Sequence, residues 1–162
     1  MFKATWKLGN ADIELAKEIR KSVFIEEMGM QPSEVFDNHD NYSAHLEIFE
    51  EETQQPIATA RMYPDHVHGN DCDCCSLSVT HIGEIAVMKN YQNTNKYYDL
   101  ALRMLLYKAE SLSGKQIVAD VFESELPIYE SFGFEMVEKN ANKIRVSVDK
   151  DKVLWHSECH GS

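Results

Sequence analysis

The feature that most constrains the fold is one long amphipathic segment, Tyr98–Leu112. Strand-like apolar runs lie on both sides of it, His81–Met88 before and Ile117–Phe122 after. The apolar residues of the segment recur at helical spacing and share one face: Leu102, Leu105, Leu106, Ala109 and Leu112. A helix with one apolar face buries that face against another element. The segment therefore predicts a helix packed on a sheet.

The rest of the chain reads as further strands and helices. The predicted strands are Phe2–Leu8, Ala44–Phe49, Ile57–Tyr63, Phe134–Glu138 and Lys143–Val148. The other predicted helices run from a cap at Asn10 or Asp12 to Met28, and over Glu125–Phe132. Gly29 and Gly133 are expected to end them. Residues Gln31–Asn41 and Pro64–Thr80 are predicted to be irregular. This order favours an α+β domain over residues 1–149, with helices covering a mostly antiparallel sheet, and a C-terminal tail over 150–162.

Composition narrows the classes of partner. The 27 acidic and 16 basic residues give a formal net charge of −11, and the basic residues are scattered. Such a chain is repelled by nucleic acid and by anionic lipid. It contains no apolar run of about 18 residues that could span a membrane, and its N-terminus has no apolar signal segment. We therefore expect a cytoplasmic protein that binds neither nucleic acid nor membrane.

Cysteine and histidine cluster at two places in the sequence. Cys72, Cys74 and Cys75 lie near His66, His68 and His81, and the tail carries His156, Cys159 and His160. These are residue types that bind zinc, but their spacing matches no established zinc motif. We expect free thiols in a polar loop and no metal, with a zinc site as the alternative.

Three stretches resemble the GNAT superfamily of acyl-CoA N-acyltransferases, in particular its ElaA-like bacterial subgroup. They are Ile19–Glu27 with Phe36, Asp37 and Asp40; Ala58-Thr59-Ala60-Arg61-Met62; and Leu126–Phe134, which ends in Gly133-Phe134. The resemblance implies the GNAT fold, a mostly antiparallel mixed sheet flanked by helices. It also implies acetyl transfer from acetyl-CoA to an amine by direct attack in a ternary complex.

The resemblance further implies where acetyl-CoA binds. The backbone of Ile85, Ala86 and Val87 would hold the pantetheine arm, with the Val87 N–H polarising the thioester carbonyl. The loop that follows would wrap the pyrophosphate: it comprises Gln92, Asn93, Thr94, Asn95, Lys96 and Tyr97. Asn95 and Tyr97 stand where the family has small residues. Lys96 could compensate with a direct charge on phosphate.

Three residues are candidates for proton transfer. The resemblance implies that Tyr129 is the acid that protonates the departing thiolate; the alternative is a core aromatic residue. Glu84, on the predicted fourth strand, is our candidate base, and the alternative is a solvated strand residue. His45 is a second candidate base, although a lone histidine on a strand is more often structural.

The acceptor side is predicted from charge alone. Glu26, Glu27, Asp37 and Asp40 would form an acidic group that suits a cationic amine such as a polyamine or a lysine side chain. The alternative is a solvated loop and helix end.

Two other functions stay open. Acyl-homoserine-lactone synthases share part of the motif set, echoed here by Arg20, Phe24, Asp37, Asp40 and Arg61, but they carry tryptophans where this chain has Met28 and Met30. Alternatively, the missing loop glycines indicate a degenerate domain that binds a ligand or partner without turnover. A homodimer is common among such domains and is a further expectation.

Overall fold

A computed structural model describes residues 1–9, 12–67, 77–112 and 114–155. The strands are β1 (Phe2–Leu8), β2 (Ala44–Glu50), β3 (Pro56–Val67), β4 (Leu77–Val87), β5 (Gln116–Val121), β6 (Glu135–Asn140) and β7 (Lys143–Asp149). The helices are α1 (Glu14–Arg20), which continues as a π-helix (Lys21–Glu27), α2 (Pro32–Val35), α3 (Lys96–Glu110) and α4 (Leu126–Ser131). Short 3₁₀ turns cover Asn38–Tyr42, Lys89–Tyr91, Glu123–Glu125 and Lys150–Lys152.

The described strands form one mixed sheet in the order β1-β2-β3-β4-β5-β7-β6, and helices flank it. The chain divides into two compact units. One comprises 1–63 and 84–107, and the other comprises 64–83 and 108–162. The predicted α+β class and mostly antiparallel sheet are confirmed, since the only described parallel pair is β4 with β5.

In the first unit, β1, β2 and β3 pair as an antiparallel meander. Its core is formed by strand and helix residues that are at most 1% exposed, among them Ile13, Ala16, Ile19, Leu46, Ile48, Ile57, Leu102 and Leu105. The predicted amphipathic faces of α1 and α3 supply the helical members. A second apolar cluster joins the π-helix, α2 and the end of β4, through Val23, Phe24, Val35 and Ala86.

In the second unit, β5 and β7 pair antiparallel, and β6 lies at the edge of the sheet. β7 alternates between buried and half-buried residues, the pattern of a strand with one covered face. α4 ends before Gly133, whose φ of +98° suits glycine. A Cβ added there would lie 3.2 Å from the Lys152 carbonyl oxygen and 3.3 Å from Leu154 Cγ.

Several predicted boundaries were wrong. Residues 31–41 are not irregular throughout, because α2 and a 3₁₀ turn lie there. β3 and β4 extend into the predicted 64–80 excursion, to Val67 and from Leu77. Asp12 does not cap α1, and Asn10 lies outside the described residues. Instead the buried Glu47 of β2 accepts a hydrogen bond from the Ala16 N–H at 3.1 Å. A cap from a distant strand leaves no local sequence signal.

The first residues of the predicted tail pack against other residues of the second unit. The Leu154 N–H donates to the Phe132 carbonyl at 2.9 Å, and the Trp155 and Phe132 rings lie 6.4 Å apart, edge to face. Residues 156–162 lie outside the described part of the chain. No helix among the described residues has the length and apolar character needed to cross a membrane.

Candidate functional site

The end of β4 carries a local distortion that sets up the candidate site. Gly83 and Glu84 have φ angles of +153° and +52°, so the strand kinks immediately before Ile85. Glutamate in the left-handed region costs about 1–2 kcal/mol. Ile85, Ala86 and Val87, the predicted pantetheine-binding residues, follow the kink and are buried. The strand continues through these two residues to Val87, so the kink changes the local direction of the chain without ending β4.

The peptide unit between Val87 and Met88 is held on both sides. The Met88 N–H donates to the Ile57 carbonyl of β3 at 2.8 Å. The Val87 carbonyl accepts from Gln92 Nε2 at 2.7 Å. The same nitrogen lies 3.3 Å from Glu27 Oε1 at the end of the π-helix. These contacts fix the last peptide of β4 to the loop behind it.

The predicted pyrophosphate loop leads directly into the N-terminus of α3. Asn93, Thr94, Asn95 and Lys96 are exposed. The Lys96 N–H donates to Thr94 Oγ1 at 3.3 Å, and the Asp99 N–H closes the first helical turn onto the Asn95 carbonyl at 2.8 Å. A helix start presents backbone N–H groups without intrahelical partners, and its dipole favours an anion. The exposed loop therefore retains the donor chemistry that a diphosphate needs, without the family's glycines.

Tyr97 packs onto its own unit. Its ring contacts Phe2 and Tyr91 edge to face, with centroids 6.1 and 5.5 Å away, and the Lys96 ammonium lies 5.3 Å from the ring centroid. The side chain is half-buried. A tyrosine at a position where the family has a small residue is thus accommodated by aromatic neighbours.

Next to the kink lies a buried charged network that joins four elements. Arg20 Nη2 donates to Asp40 Oδ2 at 3.0 Å. Arg61 Nη1 donates to Asp40 Oδ1 at 2.9 Å and to Asp37 Oδ1 at 2.7 Å, while its Nη2 donates to Asp37 Oδ2 at 2.9 Å. Arg20, Asp40 and Arg61 are each at most 5% exposed. Arg61 also lies 3.8 Å from Glu84 Oε1, so the network reaches the candidate base.

Charge pairing sets the protonation states in this network. Partial burial raises the pKa of Asp37, but the hydrogen bonds and charge of Arg61, with a smaller effect of His39, outweigh it and hold the pKa at about 2. Burial lowers the pKa of Arg61, and the carboxylates of Asp37, Glu84 and Asp40 more than offset this, so its pKa is raised. Both groups therefore stay charged across the neutral range.

His45 is enclosed in the same network. It is 1% exposed, and its Nε2 lies 3.2 Å from the Asp40 carbonyl oxygen, which only accepts. Nε2 therefore carries the proton. Burial lowers the pKa of His45; its contacts with Asp40 oppose this, and Arg20 and Arg61 reinforce it. A neutral, enclosed histidine that donates to backbone favours a structural role over the predicted role of a base.

The predicted acidic group does not lie together at a surface. Asp40 is buried between two arginines, and both oxygens of Asp37 bond Arg61. Their charges are balanced within the protein, which differs from the expectation of an acidic rim. Glu26 and Glu27 are exposed at the end of the π-helix.

Tyr129 lies in the second unit, on α4. It is 1% exposed and packs edge to face on Phe134, with ring centroids 5.3 Å apart. The same unit contains a cross-strand group in which Arg145 binds both oxygens of Asp120 at 2.8 and 3.0 Å. His81 Nε2 lies 3.6 Å from Asp120 Oδ2.

Most of the cysteine and histidine residues considered as zinc ligands lie outside the described residues. Within the described residues, no group of three or more His, Cys, Asp or Glu side chains could hold a metal ion. Cys72, Cys74, Cys75, His68, His156, Cys159 and His160 lie outside those residues, and the side chain of His66 is not described.

Sequence reasoning missed the cations that organise the site. The motifs contain Arg20 and Arg61, and each of these residues occupies a core position. Arg20 follows Ala16 by four residues on the buried face of α1, and Arg61 lies between the buried Ala60 and Met62 of β3. A charged residue at a core position requires a buried partner, and that was the available signal.

The chain is similar to known proteins in part of its sequence and in its fold. Residues 19–97 match the acetyltransferase (GNAT) domain family. The fold is similar to that of Escherichia coli ElaA, with 18% identity over 92% of this chain and 100% of ElaA, at a TM-score of 0.66. It is similar to FeeM, an N-acyl amino acid synthase from uncultured soil microbes, with 14% identity over 93% of both chains, at a TM-score of 0.71. A GNAT family acetyltransferase from Elizabethkingia anophelis, solved with acetyl-CoA bound, matches with 15% identity over 90% of this chain and 97% of that one, at a TM-score of 0.62.

The domain match covers β4, the loop behind it and the start of α3, and the structural matches cover the sheet as well. The chain has the acyl-CoA N-acyltransferase (GNAT) fold, and its residues 19–97 match the GNAT acetyltransferase domain family.

Proposed function

We propose that this protein transfers an acetyl group from acetyl-CoA to the amine of a small molecule or peptide. The observation that carries the proposal is the order of features along the chain from the end of β4 to the start of α3. β4 kinks at Gly83 and Glu84, ends in a fixed peptide at Val87, and is followed by an exposed polar loop at the N-terminus of the fifteen-residue α3. A strand end followed along the chain by an exposed loop and a helix start suits a ligand with an amide-containing arm and a diphosphate.

The residues present fit such a ligand. The backbone of Ile85–Val87 would bond the pantetheine amides, and the N–H groups of 93–97 would bond the diphosphate. The exposed Lys96 ammonium adds a charge that phosphate attracts. The overall acidic charge of the chain opposes an anionic ligand, so we assign the binding to these local donors.

The proposed reaction is a direct displacement at the thioester carbon. The amine nitrogen attacks the thioester carbon, the N–C bond forms, and the C–S bond breaks. The nitrogen gives up two protons, of which one reaches the departing thiolate and one reaches solvent. Glu84 takes the first proton through water. Tyr129 supplies the proton to sulfur, and the Val87 N–H stabilises the developing oxyanion.

A cationic acceptor is part of the proposal. An alkylammonium ion is attracted by the carboxylates that remain exposed, Glu26 and Glu27, whereas Asp37 and Asp40 act through the network that holds Arg61. The loop that contains Asp37 and Asp40 would therefore shape the acceptor side without supplying its charge.

The test is transfer from acetyl-CoA to a panel of amines: spermidine, free lysine, a lysine-containing peptide and tyramine. Release of CoA thiol and the mass of the acetylated product are measured together. Amine-dependent thiol release with a product of the expected mass supports the proposal. Tight acetyl-CoA binding without any product supports the alternative of a ligand-binding domain without turnover. Formation of acyl-homoserine lactone from an acyl-CoA and S-adenosylmethionine would support the lactone synthase alternative.

A further inference from the structure

The side chain of Gln92 has a role that its sequence position does not suggest. Its amide contacts two groups, the Val87 carbonyl oxygen at 2.7 Å and Glu27 Oε1 at 3.3 Å. Both partners only accept hydrogen bonds. The NH₂ group of Gln92 must therefore face them, and no alternative assignment of its oxygen and nitrogen satisfies both.

This arrangement uses every hydrogen-bond donor that Gln92 has. The two side-chain N–H bonds point to Val87 and Glu27, and the backbone N–H donates to the Lys89 carbonyl at 3.2 Å. The group left over is Oε1, which is an acceptor. A phosphate oxygen at neutral pH is also an acceptor, so Gln92 in this conformation has no N–H left to donate to the diphosphate. The expectation that Gln92 binds the cofactor phosphates directly does not fit the geometry.

What Gln92 does instead is hold the last peptide of β4. The Val87–Met88 peptide is fixed on its N–H side by Ile57 and on its carbonyl side by Gln92. The preceding N–H, that of Val87 itself, is the group proposed to meet the thioester oxygen. A peptide that cannot rotate keeps its neighbour's N–H aimed without reorganisation, which is how preorganised donors stabilise charge.

Glu27 links this peptide to the π-helix. π-helical turns are rare and often occur at functional sites. Here seven residues of π-helix end at Glu27, and their buried residues Val23 and Phe24 pack in the same cluster as Ala86 of β4. Glu27 thus approaches the end of β4 from the helix that carries the exposed acidic residues.

We propose that Gln92 is a positioning residue for the thioester end of the cofactor site, and that Glu27, at the end of the π-helix, holds the Gln92 amide in place. The two contacts of this amide, with the Val87 carbonyl and with Glu27, are called the latch below. The proposal rests on the proposed function, since it assumes that an acyl-CoA binds at β4. It assigns Gln92 to the acyl and pantetheine portion of the ligand and not to the diphosphate.

The experiment compares two ligands on the full-length protein. Acetyl-CoA carries the diphosphate and nucleotide, and S-acetyl-pantetheine lacks both. Affinities are measured by calorimetry for the first and by shifts of backbone amide NMR signals for the second. The variants are Gln92→Leu, which removes the donors at similar size, and Gln92→Asn, which keeps an amide too short to reach Val87. Glu27→Ala is matched by Glu18→Ala, which removes one exposed charge from α1 in the same continuous helical segment.

The latch predicts that both Gln92 variants weaken both ligands by the same factor, about 3–10-fold, the size of one hydrogen bond. Glu27→Ala should weaken both ligands in the same direction, whereas Glu18→Ala should leave affinity unchanged or slightly improve it. Weakening confined to acetyl-CoA would show a phosphate contact and overturn the proposal. Equal behaviour of Glu27→Ala and Glu18→Ala, or no binding of S-acetyl-pantetheine by the native protein, would also overturn it. If the native protein does not bind acetyl-CoA, the proposed function itself is contradicted, whatever the variants show.

Discussion

Arg61 and Asp37 form a bidentate ion pair, with two nitrogen–oxygen distances of 2.7 and 2.9 Å. The same guanidinium also binds the buried Asp40. Replacing Arg61 by Met leaves Asp40 with Arg20 as its one cationic partner and removes both bonds of Asp37. We expect a loss of about 3–5 kcal/mol in the free energy of unfolding, measured by urea denaturation. Arg61→Lys should recover part of this loss. A loss below about 1 kcal/mol for the Met variant would contradict a structural role for the pair.

Acid should weaken the protein through Asp37. Its pKa is about 2 in the folded state, below its ordinary value of 3.8. A carboxylate with a depressed pKa contributes stability at higher pH, and that stability is lost as pH falls from near 4 toward 2. The Asp37→Asn variant should show a flatter dependence of the unfolding midpoint on pH in this window. An identical slope for both proteins would mean that Asp37 does not contribute.

A second pH effect is predicted for His45 near neutrality. Its pKa is lowered from 6.5 by burial, so the unfolded chain binds a proton before the folded one does. Stability should therefore be full above about pH 6.5 and fall as the solution is acidified below it. His45→Gln keeps a side-chain donor but cannot be protonated. Its stability curve between pH 7 and 5 should be flatter than that of the native protein, and a steeper curve would argue against a neutral His45.

The two proposed proton-transfer residues can be tested with variants that keep their shape. Glu84→Gln retains the side-chain volume and the backbone strain at the kink, and it should lower kcat about 10²–10⁴-fold, the range of general acid–base catalysis. Acetyl-CoA affinity should stay unchanged. Unaltered kcat would remove Glu84 from the mechanism.

Tyr129→Phe removes one hydroxyl from a ring that packs on Phe134. We expect kcat to fall while the thermal midpoint falls by only a few degrees, about the effect of one buried hydroxyl, since the aromatic contact persists. Tyr129→Ala is the control for packing and should lower the midpoint strongly, because it empties a buried site. Equal effects of both variants on stability and kcat would indicate a purely structural tyrosine.

Sequence predicted the elements better than the contacts between them. The apolar spacing in α1, α3 and the strands is local, and Gly29 and Gly133 mark helix ends through their own conformations. The π-helix could not be predicted, because over seven residues its period resembles that of an α-helix. The cap from Glu47 and the pairing of Arg20 and Arg61 with Asp37 and Asp40 join residues 20 or more positions apart. Such pairings are decided by tertiary packing.

In the candidate site, too, the sequence predicted the elements but not the contacts of their side chains. Tyr97 looked too large for the cofactor loop because its partners, Phe2 and Tyr91, were unknown. Gln92 occupied the expected motif position, yet its donors are directed to Val87 and Glu27. Motif spacing located the loop, and hydrogen-bond geometry assigned its side chains.

Calorimetric titration of the native protein with acetyl-CoA decides whether the glycine-poor loop binds the cofactor, with Tyr97→Gly and Tyr97→Phe measured in parallel. We expect saturable binding in the micromolar range by the native protein and by Tyr97→Phe. Tyr97→Gly should bind no better, since it loses the packing on Phe2 and Tyr91. No binding by the native protein, with recovery in Tyr97→Gly, would mean that the loop excludes acetyl-CoA and that the protein is not an acetyl-CoA-dependent transferase.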